Sequence, residues 1–198
     1  MLNKSIFVDV DGVLLDWTGQ LPFFLHDKGL STDHVLQFFE SEPCSPFPPN
    51  GLFPDSENPL ELLYEFIDSK YMRYLSPYPD AVEVVNRLSK QGFKFIAITA
   101  MSDNETTIKN RKFNLDAVFP NVFNHIEHVG IGESKEAAFK RLATEYGTPV
   151  IYVDDFSKHI DEWKQSGVDG VGLLMHRNDD YQKHIGVYDW HGVESYLK

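Results

Sequence analysis

Short apolar runs recur along the chain at positions 5–10, 93–98, 150–153 and 171–175, each nearly continuous in hydrophobicity, as strands buried on both faces require. Helical spacing fills the intervals. Over 79–91, Val82, Val85 and Leu88 share a face, Pro79 suits a first turn and Gly92 a stop. A second helix is predicted over 134–146, where Ala138, Leu142 and Tyr146 recur at helical spacing and Gly147 and Pro149 close it, and a third over 157–166. Strands and helices that alternate through right-handed crossovers build an open parallel α/β sheet with helices on both faces. Such a sheet binds its ligands beyond the carboxyl ends of its strands.

The stretch 17–76 interrupts this alternation. It carries helical patterns at 21–28 and 32–42, and then a loop with Pro43, Pro46, Pro48, Pro49, Pro54 and Pro59. Its last helix is predicted to be capped by Asn58, started by Pro59 and striped by Leu60, Leu63, Tyr64, Ile67 and Tyr71. The expected organisation is a Rossmann-like core made of 1–16 and 77–198, with 17–76 as a small, mainly helical cap inserted after the first strand.

Composition narrows the function classes. Thirty acidic residues against eighteen basic ones give a formal net charge of −12, which opposes binding to a nucleic acid polymer or an anionic membrane. The single cysteine, Cys44, excludes an intramolecular disulfide and suits a reducing cytoplasm. Neither a signal peptide nor an apolar run of bilayer length is expected.

Four polar sites fall at predicted strand ends. Asp9 and Asp11 follow the first apolar run, and alternation along an extended chain points both carboxyls the same way, one suited to nucleophilic attack and the other to acid–base work. A calcium loop fits poorly, because Gly12 comes too early and Gln20 stands where a bidentate Glu belongs. Thr99 ends the second run, and its hydroxyl, with following amides such as that of Ala100, can donate to phosphate oxygens. Lys135 stands near a helix start, where an ammonium can neutralise a transferring phosphoryl group. Asp154 and Asp155 end the third run and offer hard oxygen ligands for Mg²⁺. Each site alone also has a plain structural reading: a solvated turn, a structural strand-end threonine, a surface lysine, an acidic helix cap.

In this order the four sites resemble the motifs of the haloacid dehalogenase-like hydrolases. The resemblance implies that Asp9 is nucleophile and Mg²⁺ ligand, and that Asp11 is the general acid–base and lends its carbonyl to the metal. Thr99, Ala100 and Lys135 would hold phosphate, Asp155 would be the main acidic metal ligand, and Asp154 would ligate or support it. Family members that cleave carbon–halogen bonds typically lack an acid at the position of Asp11, so a small phosphorylated substrate is implied. The run from Asp9 to Trp17, with Asp154-Asp155, is similar to the 5'(3')-deoxyribonucleotidases, which suggests a nucleoside monophosphate. A phosphomutase on the same fold and a non-catalytic phosphate-binding protein stay open, whereas a signalling receiver domain would place Lys last and carry no cap. Substrate choice is expected from the cap, with Trp17, Phe23, Phe24, His26, Tyr71 and Arg73 as candidates; the histidines show no metal-binding spacing, and oligomeric state is left open.

Overall fold

A computed structural model describes residues 4–35, 48–176 and 183–197. The strands β1 (Ser5–Val8), β4 (Lys94–Met101), β5 (Phe123–Gly130), β6 (Ile151–Asp154), β7 (Val171–Met175) and β8 (Ile185–Val187) form one sheet in the order β5-β4-β1-β6-β7-β8, every pairing parallel. The chain leaves β1 toward β4 and β5 and returns to β6 on the other side. This reversal opens a crevice over the carboxyl ends of β1, β4 and β6.

Period-two alternation sorts the strand side chains onto two faces. Ile6, Val8, Phe95, Ala97, Ile151, Val153 and Leu173 pack with α4 (Pro79–Lys90), α5 (Glu105–Val118) and α8 (Trp190–Ser195), while Phe7, Ile96, Ile98, Tyr152 and Leu174 face α6 (Glu136–Tyr146) and α7 (Ser157–Ser166). Both faces are covered, which is why the strands read as unbroken apolar runs. The predicted helices over 79–91, 134–146 and 157–166 are α4, α6 and α7. Strand β8 and helices α5 and α8, together with the edge strand β5, were not anticipated; β5 is only half-buried and mixes His and Glu with Ile and Val, so no apolar run marks it.

The first strand stops at Val8, short of the predicted residue 10. Asp9 still donates its N–H to Val153 O at 2.8 Å, but beyond it the chain turns, with Leu14 and Leu15 N–H both reaching Val10 O.

The segment after that turn departs and returns through an antiparallel ribbon, β2 (Leu15–Asp16) with β3 (Ser76–Pro77). Between them lie α1 (Leu21–Asp27), α2 (Pro49–Leu52) and α3 (Pro59–Ile67). Helix α2 forms inside the stretch expected to be loop, started by Pro49; most of the helix predicted at 32–42 lies outside the described residues. The predicted stripe on α3 is corrected in part: Leu63, Ile67 and Tyr71 are half-buried, but Leu60 and Tyr64 are exposed, and the fully buried side chain is Phe66, packed on Phe24 with ring centroids 5.3 Å apart. Asn58 starts the helix without a side-chain cap. The apolar side chains of this insertion, among them Phe24, Phe53, Phe66 and Met72, are continuous with the core on the α4 face. Among the described residues no helix is long and apolar enough to cross a membrane.

Candidate active site

The crevice over the strand ends holds a cavity of about 210 Å³ lined by Asp9, Asp11, Ala100, Arg111, Asp155 and His159, with Trp17, Leu63, Ile67 and Met72 contributed from the insertion side. Both Asp9 and Asp11 face it. Their common direction arises from the turn after β1, and not from strand alternation as the sequence suggested. That turn depends on Gly12, whose φ is +74° and where a Cβ would stand 2.0 Å from Asp155 Oδ2.

Beneath the cavity sits a saturated ionic cluster. Lys135, expected from sequence at the surface or on phosphate, is fully buried at the start of α6; its ammonium donates to Asp9 Oδ1 at 2.7 Å, Asp154 Oδ2 at 2.8 Å and the Tyr152 hydroxyl at 3.3 Å. Its backbone N–H donates to Glu162 Oε2 at 3.0 Å. Asp154 takes further hydrogen bonds from the Tyr152 hydroxyl and from Phe156 N–H at 2.8 Å, and meets His159 Nδ1 at 3.0 Å. Burial opposes the charge of each member, but the two carboxylates beside Lys135 outweigh it and hold the ammonium protonated, above its ordinary value. Burial likewise works against Asp154 ionisation, yet Lys135 and His159 hold its carboxyl below the usual carboxylate range.

Asp9 and Asp155 behave oppositely. Burial pushes Asp9 up to about 6 despite Lys135, with Asp154 and Asp11 adding to the rise. Burial, then Asp154 and Asp9, raise Asp155 well above its ordinary value. The protein alone thus holds more negative charge here than it neutralises. Asp9, Asp154 and Asp155 each offer a carboxylate oxygen within 4.8 Å of the others. An all-oxygen, surplus-negative set fits a hard divalent cation such as Mg²⁺. Since the oxygens of Asp154 are already engaged by Lys135, Tyr152, Phe156 and His159, Asp9 and Asp155 are the better-placed ligands.

Thr99 is fully buried with no hydrogen-bond partner for Oγ1; like Lys135 and Asp154, it lies behind the cavity wall, which Ala100 reaches. Among the insertion candidates only Trp17 lines the cavity. Phe23 and His26 are exposed, Phe24 is buried among Phe53, Phe66 and Tyr71, and Tyr71 donates its hydroxyl to Asp27 on the outer side. Arg73 stacks on Phe113 of α5, its guanidinium carbon 3.9 Å from the ring centroid.

Sequence reasoning missed Arg111. It is buried on α5 and donates from Nη2 to Asp11 Oδ2 at 2.5 Å. Its neighbours on α5 tie the core to the insertion: Thr107 Oγ1 donates to Asp68 at 2.6 Å, and Asn114 Nδ2 to Met72 O at 2.7 Å. These polar residues, at 107, 110, 111 and 114, follow the i, i+3, i+4, i+7 spacing of one helix face. A polar stripe leaves no apolar periodicity to read, although Asn104, whose side chain accepts from Thr106 N–H, marks the helix start.

An open parallel sheet with a paired-aspartate turn after its central strand, a buried lysine and an acidic pair on the neighbouring strand is the arrangement expected of a haloacid dehalogenase-like hydrolase. The comparisons agree. The haloacid dehalogenase-like hydrolase family matches residues 54–167, and the chain belongs to it. It is 34% identical to the "Uncharacterized 32.4 kDa protein in Gp30-rIII intergenic region" of Enterobacteria phage T4, over 99% of this chain and 70% of that protein. Its fold is similar to that of Bacillus subtilis YfnB, described as a HAD-hydrolase and bound to magnesium (TM-score 0.66, 14% identity, 98% of each chain). It is also similar to a Thermotoga maritima protein described as a β-phosphoglucomutase (TM-score 0.64, 14% identity, 98% of each chain).

Proposed function

We propose that this chain is a Mg²⁺-dependent phosphomonoester hydrolase that works through an aspartyl phosphate on Asp9. The observation that carries the reading is the division of labour between two carboxylates facing one cavity. Asp9 is fixed by Lys135 through Oδ1, which leaves Oδ2 for attack, whereas Asp11 is held by Arg111 and reaches the same space from the turn. Asp9 forms a bond to phosphorus as the ester P–O bond breaks, and Asp11 delivers the proton to the departing oxygen. Asp11, now a base, takes a proton from water, whose oxygen attacks the same phosphorus and releases Asp9. Asp9 and Asp155 would hold a divalent cation, which when bound would neutralise phosphate charge in this surplus-negative site.

The inserted segment acts as a cap, walling the leaving-group side with Trp17, Leu63, Ile67 and Met72. A cavity of about 210 Å³ lies below the roughly 300 Å³ at which ordinary ligand pockets begin. A cavity of this size suits a small phosphorylated metabolite better than a nucleoside monophosphate. The test is phosphate release from a phosphomonoester panel with and without Mg²⁺, together with acid quench and borohydride reduction, which converts phosphorylated Asp9 to homoserine. Asp9→Asn should lose both adduct and turnover. Transfer of phosphate between positions on a sugar without release would instead identify a mutase, and turnover by Asp9→Asn at a comparable rate would sink the mechanism.

A further inference from the structure

Several buried polar atoms at this site have no partner, and most of them sit on one wall. Arg111 Nε and Nη1, Asn110 Nδ2 and Asp11 Oδ1 all lack a hydrogen bond. Arg111 is 3% and Asn110 4% exposed, and both line the cavity. A buried donor left without an acceptor is costly and rare in a folded chain. The Asn110 orientation follows from its neighbour: Arg73 Nη1 donates to Asn110 Oδ1 at 3.4 Å, so the amide nitrogen is the end left over. Asp11 satisfies only one of the Arg111 nitrogens. Nothing in the proposed attack on phosphorus uses the remaining three nitrogens.

We propose that Arg111 and Asn110 form a subsite for a neutral oxygen acceptor on the leaving group, a hydroxyl or carbonyl next to the phosphoester. The inference rests on the hydrolase reading above and specifies its substrate class. Charge decides against an anionic group. Asp9, Asp11, Asp154 and Asp155 outnumber Lys135 and Arg111, a bound dication only balances them, and the phosphate then brings its own negative charge. A second anion would enter a site already negative, whereas a hydroxyl or carbonyl oxygen takes the unspent donors without adding charge. Leu63, Ile67 and Met72, which line the same cavity, favour a leaving group that is otherwise apolar or small.

Three esters of equal chain length serve as probes: n-propyl phosphate, glycerol 1-phosphate and 3-phosphoglycerate, each with Mg²⁺. Wild type should turn over glycerol 1-phosphate at least ~10-fold better in kcat/KM than n-propyl phosphate, with 3-phosphoglycerate below glycerol 1-phosphate. Asn110→Leu leaves the Arg111 to Asp11 pair in place, and Arg111→Lys keeps the charge while removing Nε and Nη1; in both, the preference should fall to within about two-fold, with melting curves showing a folded protein. Calorimetric binding of the same esters to Asp9→Asn, which cannot turn over, reads the subsite without activity and should give the same order. Binding in that order without phosphate release from any ester would keep the subsite and remove the hydrolase reading. Equal handling of the glycerol and propyl esters, a preference unchanged in both variants, or selection of 3-phosphoglycerate would overturn the subsite.

Discussion

Lys135 and Arg111 are both buried cations paired to an aspartate at or just after the end of β1, yet their surroundings differ. The ammonium of Lys135 is spent on Asp9, Asp154 and Tyr152, and its pairing partners are themselves buried. Arg111 has one ion pair, to an Asp11 side chain that is 24% exposed, and keeps donors unused. A saturated cluster in a low-dielectric interior is a rigid frame whose parts cannot be removed singly. An unsaturated one keeps donors for an acceptor outside the chain, as the proposed subsite requires. The first is the fixed floor of the site and the second its adjustable wall.

The strongest way to break this comparison is Lys135→Met, which strands Asp9 and Asp154 as buried, unpaired carboxylates. Removing one partner of a buried pair costs about 3–5 kcal/mol, so the melting temperature should drop by roughly 10 °C in chelator. Turnover should fall by at least ~10³-fold. Lys135→Met combined with Asp154→Asn should recover part of the stability, because the two sites couple through one contact; strict additivity would show that the cluster is not a unit.

Asp155→Ala comes next. If Asp9 and Asp155 hold the cation, saturating Mg²⁺ should stabilise wild type by ~2–3 kcal/mol and leave the variant's melting temperature unmoved. An equal Mg²⁺ response in both proteins would place the ion elsewhere.

Arg111→Met should separate floor from wall. Asp11 remains partly solvated when its partner is lost, and two unsatisfied donors vanish, so stability should change by no more than ~1 kcal/mol. Activity should fall ~10–100-fold, as expected when one acid–base group loses its orientation. A loss of stability matching that of Lys135→Met would erase the distinction.

The smallest expected effect is a pH trend. Asp9 is raised in the folded protein to about 6 from an ordinary 3.8, so the folded state binds its proton more tightly than the unfolded state, and stability is lost as pH rises through that window. Burial lowers His128 and His184, which works in the opposite sense as pH falls. The comparison is therefore with Asp9→Asn: in chelator, wild type should gain stability relative to the variant from pH 7 to pH 5. A constant difference across that range would show that Asp9 is not perturbed.

The chain's hydrophobic pattern already determined the alternation of β1, β4, β6 and β7 with α4, α6 and α7, because a strand covered on both faces must be apolar throughout and a helix docked on one face must repeat at helical spacing. The acidic pairs were legible for a related reason: Asp9-x-Asp11 and Asp154-Asp155 stand at the carboxyl ends of β1 and β6, and the strand end is where such a sheet binds ligands. Local pattern could not show that Lys135 would be buried on Asp9, 126 positions away, or that Arg111 would grip Asp11 across 100 positions. It also included the exposed Leu60 and Tyr64 in the stripe of α3 and left out the buried Phe66, since all satisfy apolar spacing. Which face a short helix buries, and which charges meet, depends on how the insertion returns through the β2–β3 ribbon and how α5 lies against it. Those are pairings between distant segments, and only the tertiary structure decides them.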